Sequence, residues 1–342
     1  NGNAIYMGAP GAYYGYGSLI KIPDLEVLKR NNSYSISFSH TRESQREKDD
    51  HTGRTYSMEV GSLRAGSTDD VAIGAPRGSD LMGQVDIFTK DLRHIVKIEG
   101  IQYGSYFGFA LAIADFNDDG KDDIVVGAPF YTNKTSDKGA VKFQYDIGAI
   151  YVYYQGLSWD TLSPTQIIGS KAHSRFGYSL AAPGDLNKDG YNDLLVGAPY
   201  ESFPENKDTG AIYVFNGAKT DGLSEKYSQV IRPSDLSMSY PRRTLNTFGF
   251  SIAGGKDVDK NTYPDIVVGA YESDYVFVLR TAAVLDITST LTITKPPQKT
   301  LTLGSSQHCP ANLKNASCSE IEVCLKYNSR GDGSPNSAGM FF

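Results

Sequence analysis

Residues 115–129 read D-F-N-D-D-G-K-D-D-I-V-V-G-A-P, an acidic loop running straight into a short apolar run closed by Gly-Ala-Pro. The pattern returns at residues 185–199 and 257–271, and three copies in one chain leave few folds open. Oxygen-bearing side chains stand at positions one, three and five of each loop, and an Asp stands at nine. Such spacing suits a loop wrapped around a hard cation, while a continuous apolar run of this length suits a strand buried on both faces.

The strand ends at Gly8, Gly74, Gly127, Gly197 and Gly269 fall 66, 53, 70 and 72 residues apart, the mark of a repeated supersecondary unit. Each full unit has room for four short strands. In one, these include residues 107–112, 123–126 and 149–153; the next repeats the plan at 176–180, 193–196 and 211–215, and the last at 248–252, 265–268 and 275–278. A single antiparallel sheet leaves both faces bare, so radial stacking as blades of a β-propeller is the economical way to bury them. A parallel β-helix wants shorter rungs, and separate sandwiches want linkers that are not seen. The Phe-Gly pairs at 107–108, 176–177 and 248–249 fit the same plan, the ring packing between neighbouring blades where Gly lets the backbones approach.

Composition agrees with an all-β chain: 35 Gly and 23 Tyr among 342 residues, with no long amphipathic helical pattern. The formal charge of −6, without a Lys/Arg stripe, disfavours a nucleic-acid partner. No signal peptide opens the chain, and no run of about twenty apolar residues crosses a membrane. Because residues 5–10 are the end of a unit whose loop is missing, the expectation is a piece of a longer chain.

In the first loop Asp115, Asn117 and Asp119 supply side-chain oxygens, Gly120 permits the turn, Lys121 offers its carbonyl and Asp123 closes the site. Asp185, Asn187, Asp189, Gly190, Tyr191 and Asp193 take these roles in the second; Asp257, Asp259, Asn261, Tyr263 and Asp265 take them in the third, where Thr262 replaces Gly. All-oxygen ligation at this density favours Ca²⁺ over Mg²⁺ or Zn²⁺, and three sites are expected. Nine Asp stand at ligand positions, and three divalent cations would cancel the formal charge. An EF-hand is excluded, because its position-twelve Glu is here Val126, Val196 or Val268, inside a strand. The stretch at 62–70 aligns with the loops but puts Ser, Arg and Gly at ligand positions, and a guanidinium there argues against a cation. The expected role of the metal is structural: it neutralises clustered carboxylates that would otherwise force the hairpin open.

Residues 24–55 form a polar, charge-mixed insertion, read as a solvated loop between blades with a partner-contacting loop as the alternative. From Ala282 the repeat gives way to a Thr-rich alternating strand, Pro296-Pro297 and a cysteine region, the beginning of a second, sandwich-like β-domain. The expected domains are therefore residues 1–281 and 282–342. A local disulfide between Cys309 and Cys318, with Cys324 pairing beyond the chain, is one reading; three cysteines leave others open. Asn31, Asn133 and Asn315 lie in glycosylation sequons.

The Phe-Gly strand, acidic hairpin and Gly-Ala-Pro strand resemble the FG-GAP repeats of integrin α subunits, over nearly the whole chain. The likeness continues past the repeats, where Leu279-Arg280-Thr281, the Thr-rich strand, Cys318, Cys324 and Leu325-Lys326-Tyr327 are similar to the start of the integrin thigh domain. It implies an all-β fold: a seven-bladed β-propeller, incomplete in this chain and running from the end of repeat three to repeat seven, followed by a partial Ig-like sandwich. It also implies a cell-surface adhesion receptor chain that pairs with a β subunit through the upper rim, binds an extracellular-matrix or cell-surface ligand at the junction, and carries Ca²⁺ on the lower rim. Membrane attachment, as a single-pass type I protein, would come only through segments absent from this chain. By resemblance Tyr13 and Tyr14 border the ligand site, and Asp49 or Asp50 stands where some members receive a ligand Arg; Gly15 stands where a Trp is usual. Three loops rather than four departs from the RGD-binding members. Arg330-Gly331-Asp332, inside the second domain, is read as coincidence.

An enzyme is the competing class, since similar propellers accompany a secreted phospholipase. The chain has no G-x-S-x-G elbow and no H-E-x-x-H, and its histidines, His40, His51, His94, His173 and His308, are scattered. The expectation is therefore no catalytic activity. A secreted calcium-binding propeller without a β partner is the remaining alternative.

Overall fold

A computed structural model describes residues 4–11, 17–22, 37–38, 53–64, 69–137, 140–155, 163–203, 208–236, 244–295 and 320–330. The chain divides into two compact units: Asn1–Asp259 with Pro264–Thr281, and Lys260–Tyr263 with Ala282–Phe342.

The first unit is a succession of antiparallel sheets. The first comprises β1 (Ile5–Ala9), β2 (Ser18–Ile22) and β3 (Ser37–Phe38); the second comprises β4 (Ser57–Gly61), β5 (Asp70–Ala75), β6 (Gln84–Phe88) and β7 (His94–Glu99) in chain order. The third is built from β8 (Leu111–Ala114), β9 (Asp123–Ala128), β12 (Ala149–Tyr153) and β13 (Thr165–Ile168). Between its second and third strands it puts out a separate hairpin, β10 (Asn133–Asp137) and β11 (Ala140–Gln144), the first of which carries no strand pattern. The fourth comprises β14 (Ser179–Gly184), β15 (Asp193–Ser202), β16 (Thr209–Phe215) and β17 (Gln229–Ile231); the fifth comprises β18 (Phe248–Lys256), β19 (Asp265–Ala270) and β20 (Tyr275–Leu279).

Period-two alternation explains why I-V-V and L-L-V runs sit at the centre of each sheet. Ile124 and Val126 pack toward the second sheet with Ala72, Val85, Ile87 and Phe107, whereas Val125 packs toward the fourth with Leu180, Leu194, Val196 and Phe215. Leu195, Ile212 and Val214 then meet Phe248, Ile266 and Val268 of the fifth. The second, third and fourth sheets thus bury both faces against their neighbours, the packing of propeller blades, whereas Val276 and Val278 leave one face of the fifth exposed.

The Phe-Gly and Gly-Ala-Pro signatures are two halves of one joint. A Cβ on Gly127 would lie 2.2 Å from the carbonyl oxygen of Gly177 in the next sheet, and one on Gly197 would lie 2.2 Å from that of Gly249. The approach requires glycine at the Gly-Ala-Pro position, where any Cβ would meet the neighbouring backbone. The Phe of each Phe-Gly pair then makes a parallel backbone bridge to the preceding sheet: Gly83 with Phe107, Gly148 with Phe176, Gly210 with Phe248. This corrects one detail of the sequence reading. Phe107-Gly108 and Phe176-Gly177 precede β8 and β14 rather than belonging to them, because φ of +89° at Gly108 and +85° at Gly177 turns the chain there.

Among the described residues the second unit contains the long pair β21 (Leu285–Lys295) and β22 (Glu320–Ser329). The Thr-rich alternation matches β21, and Cys324 lies within β22, exposed.

Candidate cation loops and the opposite rim

Each cation loop enters the second strand of its sheet, and the Asp at position nine is that strand's first residue. Asp123 and Asp193 are fully buried and Asp265 nearly so, although a lone buried carboxylate is costly. Two backbone N–H groups meet each one. Oδ2 accepts from the residue at position two (Phe116 at 3.1 Å, Leu186 at 2.7 Å, Val258 at 2.8 Å), and Oδ1 accepts from the residue beyond the third strand (Gln155 at 2.9 Å, Gly217 at 3.1 Å, Thr281 at 2.9 Å). Position nine therefore ties the loop to its sheet as well as facing the loop centre.

The rest of the loop winds on itself. In the first, Asp115 accepts from the amides of Asp119 and Gly120 at 3.2 and 2.8 Å, Asn117 from Asp119 at 3.1 Å, and Asp119 from Lys121 at 2.9 Å. In the second, Asp185, Asn187 and Asp189 make the same bonds to Asp189, Gly190 and Tyr191. Position six has φ of +82° at Gly120 and +96° at Gly190, the left-handed turn read from the sequence; Thr262 adopts +76° in the third loop, a strained value for a β-branched residue. Asp257, Asp259 and Asp265 bring their carboxylate oxygens within 4.8 Å of one another, the donor set a hard divalent cation takes.

Burial pushes the Asp123 carboxyl up to about 7, against the two amide bonds that lower it, and the charges of Asp119 and Asp115 add to the rise. Asp193 is likewise pushed up to about 7 by burial, with Asp189 and Asp185 adding. Repulsion of this kind is what a bound cation removes. The residues fit the ion that the repeats imply.

The second sheet departs from this plan. Asp70, 1% exposed, starts its second strand, but position three is Arg64, whose Nε and Nη2 donate to Asp70 at 3.0 and 2.7 Å. The same sheet also lacks the Phe-Gly pair. Arg54 and Thr55 stand in its place, Thr55 with φ of +66° where the other sheets have Gly. Elsewhere the Phe meets a third-strand aromatic edge-on: Phe107 with Tyr151 and Phe176 with Tyr213 at 5.3 Å, and Phe248 with Phe277 at 5.6 Å. Here Arg54 pairs with buried Asp86 at 2.9 Å, and Gln84 and His94 bond to the same carboxylate at 2.8 and 3.0 Å.

At the far end of the second strands, about 13 Å from the loops, runs an aromatic row that the sequence reading folded into the general packing. Two residues past each Phe position stand Tyr56, Phe109, Tyr178 and Phe250. Their ring centroids lie 4.9, 4.7 and 4.8 Å apart from one sheet to the next, and Tyr271 stacks on Phe250 at 5.1 Å. Tyr56 is 53% exposed and Tyr271 69%. Arg175 lies over Phe130 and Tyr200 beside the row, at 4.7 and 4.3 Å. The cue was present in F-G-F, F-G-Y and F-G-F, where the first aromatic is core and the second is not.

Tyr13, Tyr14, Asp49, Asp50, Asn31, Asn315, Cys309 and Cys318 lie outside the described residues. Asn133 begins the β10–β11 hairpin and donates through Nδ2 to Gln144 at 3.0 Å. Arg330 is committed within its own unit: its guanidinium forks onto Asp286 at 2.8 and 2.9 Å, and its carbonyl accepts from the Tyr263 hydroxyl.

A family model described as the FG-GAP repeat matches residues 107–153 and 176–215. The chain is 37% identical over 345 residues to integrin alpha pat-2 of Caenorhabditis briggsae, covering 98% of this chain and 26% of that protein. It is 35% identical over 354 residues to integrin alpha-PS2 of Drosophila melanogaster, covering 96% and 24%. Against integrin alpha-5 of Xenopus laevis it is 33% identical over 347 residues, covering 98% and 31%. The chain thus spans between about a quarter and a third of the length of these curated relatives.

Proposed function

The chain is an integrin α homologue carrying FG-GAP repeats, and on that premise we propose that it belongs to a cell-adhesion receptor chain with two opposed working rims. One rim carries Ca²⁺ in three hairpin loops as braces. The other presents its aromatic row to a β subunit, beside the site for an extracellular-matrix or cell-surface ligand.

Propellers of this family bind divalent cations in general; Ca²⁺ and the number three are the specific proposal. They are supported by the all-oxygen donor residues in the sequence of three loops, by the clustered carboxylates of Asp257, Asp259 and Asp265, and by the charge that Arg64 supplies in the hairpin of the second sheet. A bound cation would neutralise carboxylates that burial and mutual repulsion otherwise push toward protonation. Asp115, Asn117, Asp119, Lys121 and Asp123 would hold one ion, Asp185, Asn187, Asp189, Tyr191 and Asp193 the second, and Asp257, Asp259, Asn261, Tyr263 and Asp265 the third.

The observation that carries the pairing rim is the row of aromatics from Tyr56 to Tyr271, exposed at its two ends and partly buried at Phe109, Tyr178 and Phe250, each ring against the next and at the strand ends farthest from the cation loops. Exposed aromatics in register are interface residues by composition, and a polar-rimmed aromatic surface accommodates a cationic side chain well. Tyr13, Tyr14 and Asp49 or Asp50 are proposed ligand contacts on the family resemblance. So are the seven-blade closure, the sandwich beginning near residue 282, the Cys309–Cys318 disulfide, glycans on Asn31, Asn133 and Asn315, and placement at the cell surface through a membrane segment outside this chain. Among the described residues no helix is long and apolar enough to cross a membrane.

Co-expression of the full-length protein with candidate β subunits tests the reading. A complex is expected with at least one, and Phe109→Ser with Tyr178→Ser should abolish it while leaving calcium stoichiometry intact. Purification free of every β subunit would instead favour a secreted calcium-binding propeller.

A further inference from the structure

The four sheets that begin their second strand with a buried Asp solve the same electrostatic problem, yet only three have the donors for a metal. Asp70, Asp123, Asp193 and Asp265 are all at most 2% exposed. In the third loop the oxygens of positions three and nine, Asp259 and Asp265, face each other within 4.8 Å across the loop centre. In the second sheet the side chain at position three is Arg64. It spans that same gap and grips both oxygens of Asp70 in a two-point fork.

We propose that Arg64 is a tethered cation that closes the second sheet's hairpin in place of a metal ion, so that this repeat is braced permanently and the others only when loaded. A guanidinium suits the task because it stays charged at any physiological pH, matches a carboxylate with two parallel donors and cannot dissociate. The surrounding fold is kept: Leu63 at position two is fully buried, as Phe116 is in the first cation loop. The neighbouring loop is fastened directly to it. Asp122, at position eight of the first cation loop, accepts from the Ser62 amide at 2.6 Å and donates its own amide to the Ser62 carbonyl. Asn192 repeats this join one sheet on, donating through Nδ2 to the Asp115 carbonyl at 2.8 Å. The permanently closed hairpin therefore gives the first metal loop a fixed edge before any ion arrives. A second guanidinium in the same sheet, Arg54 on Asp86, replaces the aromatic pair of the other sheets, so internal ion pairing is this repeat's general substitution.

The inference rests on the reading that the other three loops take a cation, and its test separates the two. Amide hydrogen exchange is measured on the chain in saturating Ca²⁺ for the wild type, Arg64→Lys and Arg64→Gln. Arg64→Gln should lose protection in Ser57–Gly61 and Asp70–Ala75, with a melting temperature lower by roughly 5–10 °C, and Arg64→Lys should keep most of both. Unchanged protection in Arg64→Gln overturns the proposal, as does loss of equal size in Arg64→Lys. Should Arg64→Gln not fold, the wild type decides: partial chelation should expose Asp123–Ala128 and Asp193–Ser202 before Asp70–Ala75, and the reverse order overturns it. Absence of calcium binding by the wild type would instead count against the three-site reading, leaving the Arg64 comparison standing.

Discussion

Removing divalent cations should make stability fall as pH rises, the opposite of what most acidic proteins do. Asp123 and Asp193, each pushed up to about 7 by burial with neighbouring carboxylates adding, start from an ordinary value of 3.8. Between those values the folded chain holds protons that the unfolded chain releases, so stability declines from about pH 4 to about pH 7 and is flat above. A rise from 3.8 to about 7 in each group, at about 1.36 kcal/mol for every tenfold change in proton affinity, is on the order of 4 kcal/mol per loop. Two such loops weigh as much as the whole stability of many domains, about 5–15 kcal/mol. Asp86, held below the usual carboxylate range by the His94 and Arg54 partners that outweigh its burial, acts in the other direction, but below about pH 4 and so outside the window. Thermal melts from pH 4.5 to 8, in chelator and in Ca²⁺, check this. In chelator the melting temperature should drop steadily to about pH 7; in Ca²⁺ it should be level or rise. A chelator profile that is flat, or that climbs with pH, would refute the assignment of buried, uncompensated carboxylates to these loops.

Other outcomes follow from the same contacts. Calcium binding near pH 6 should release protons from Asp123 and Asp193, seen as a dependence of the calorimetric heat on the ionisation enthalpy of the buffer. Asp189→Ala should remove one calcium equivalent and, at about 1 mM Ca²⁺ against a dissociation constant of about 10⁻⁴ M, lower stability by about 1.4 kcal/mol in denaturant titration. Gly127→Ala would press a methyl group into the Gly177 carbonyl and should cost about 1–3 kcal/mol in the same assay. Arg54→Phe and Asp86→Tyr singly should each cost about 3–5 kcal/mol by stranding a partner. Combined, they rebuild the aromatic pair of the neighbouring sheets and should recover most of that loss, a coupling read by a double-mutant cycle.

Much of this was legible in the residues. The continuous I-V-V and L-L-V runs signalled strands covered on both faces, and the Asp, Asn and Gly spacing of the loops gave the turn geometry down to the positive φ at Gly120 and Gly190. Thr262 is an informative exception, since it takes the same left-handed turn despite its branched Cβ. What could not be read was side-chain partnership across sheets. Phe107 and Phe109 both fall in the strand read at 107–112, yet one is core and the other belongs to the partly exposed outer row, because the turn at Gly108 parts them. The β10–β11 hairpin went unseen because Asn133-Lys134-Thr135-Ser136-Asp137 has the composition of a loop. The residue type of Arg64 argues against a metal from the sequence alone, but its bond to Asp70 depends on a side chain reaching a carboxylate six residues on, which no spacing rule supplies.

The central claim, that three acidic loops are cation-held braces and the fourth hairpin is closed by Arg64, is tested most directly by calcium titration of the chelator-stripped chain at pH 7.5. Three equivalents per chain are expected for the wild type and none for the combined Asp115→Ala, Asp185→Ala, Asp257→Ala variant. Four equivalents in the wild type, or a count unchanged in that variant, would contradict it.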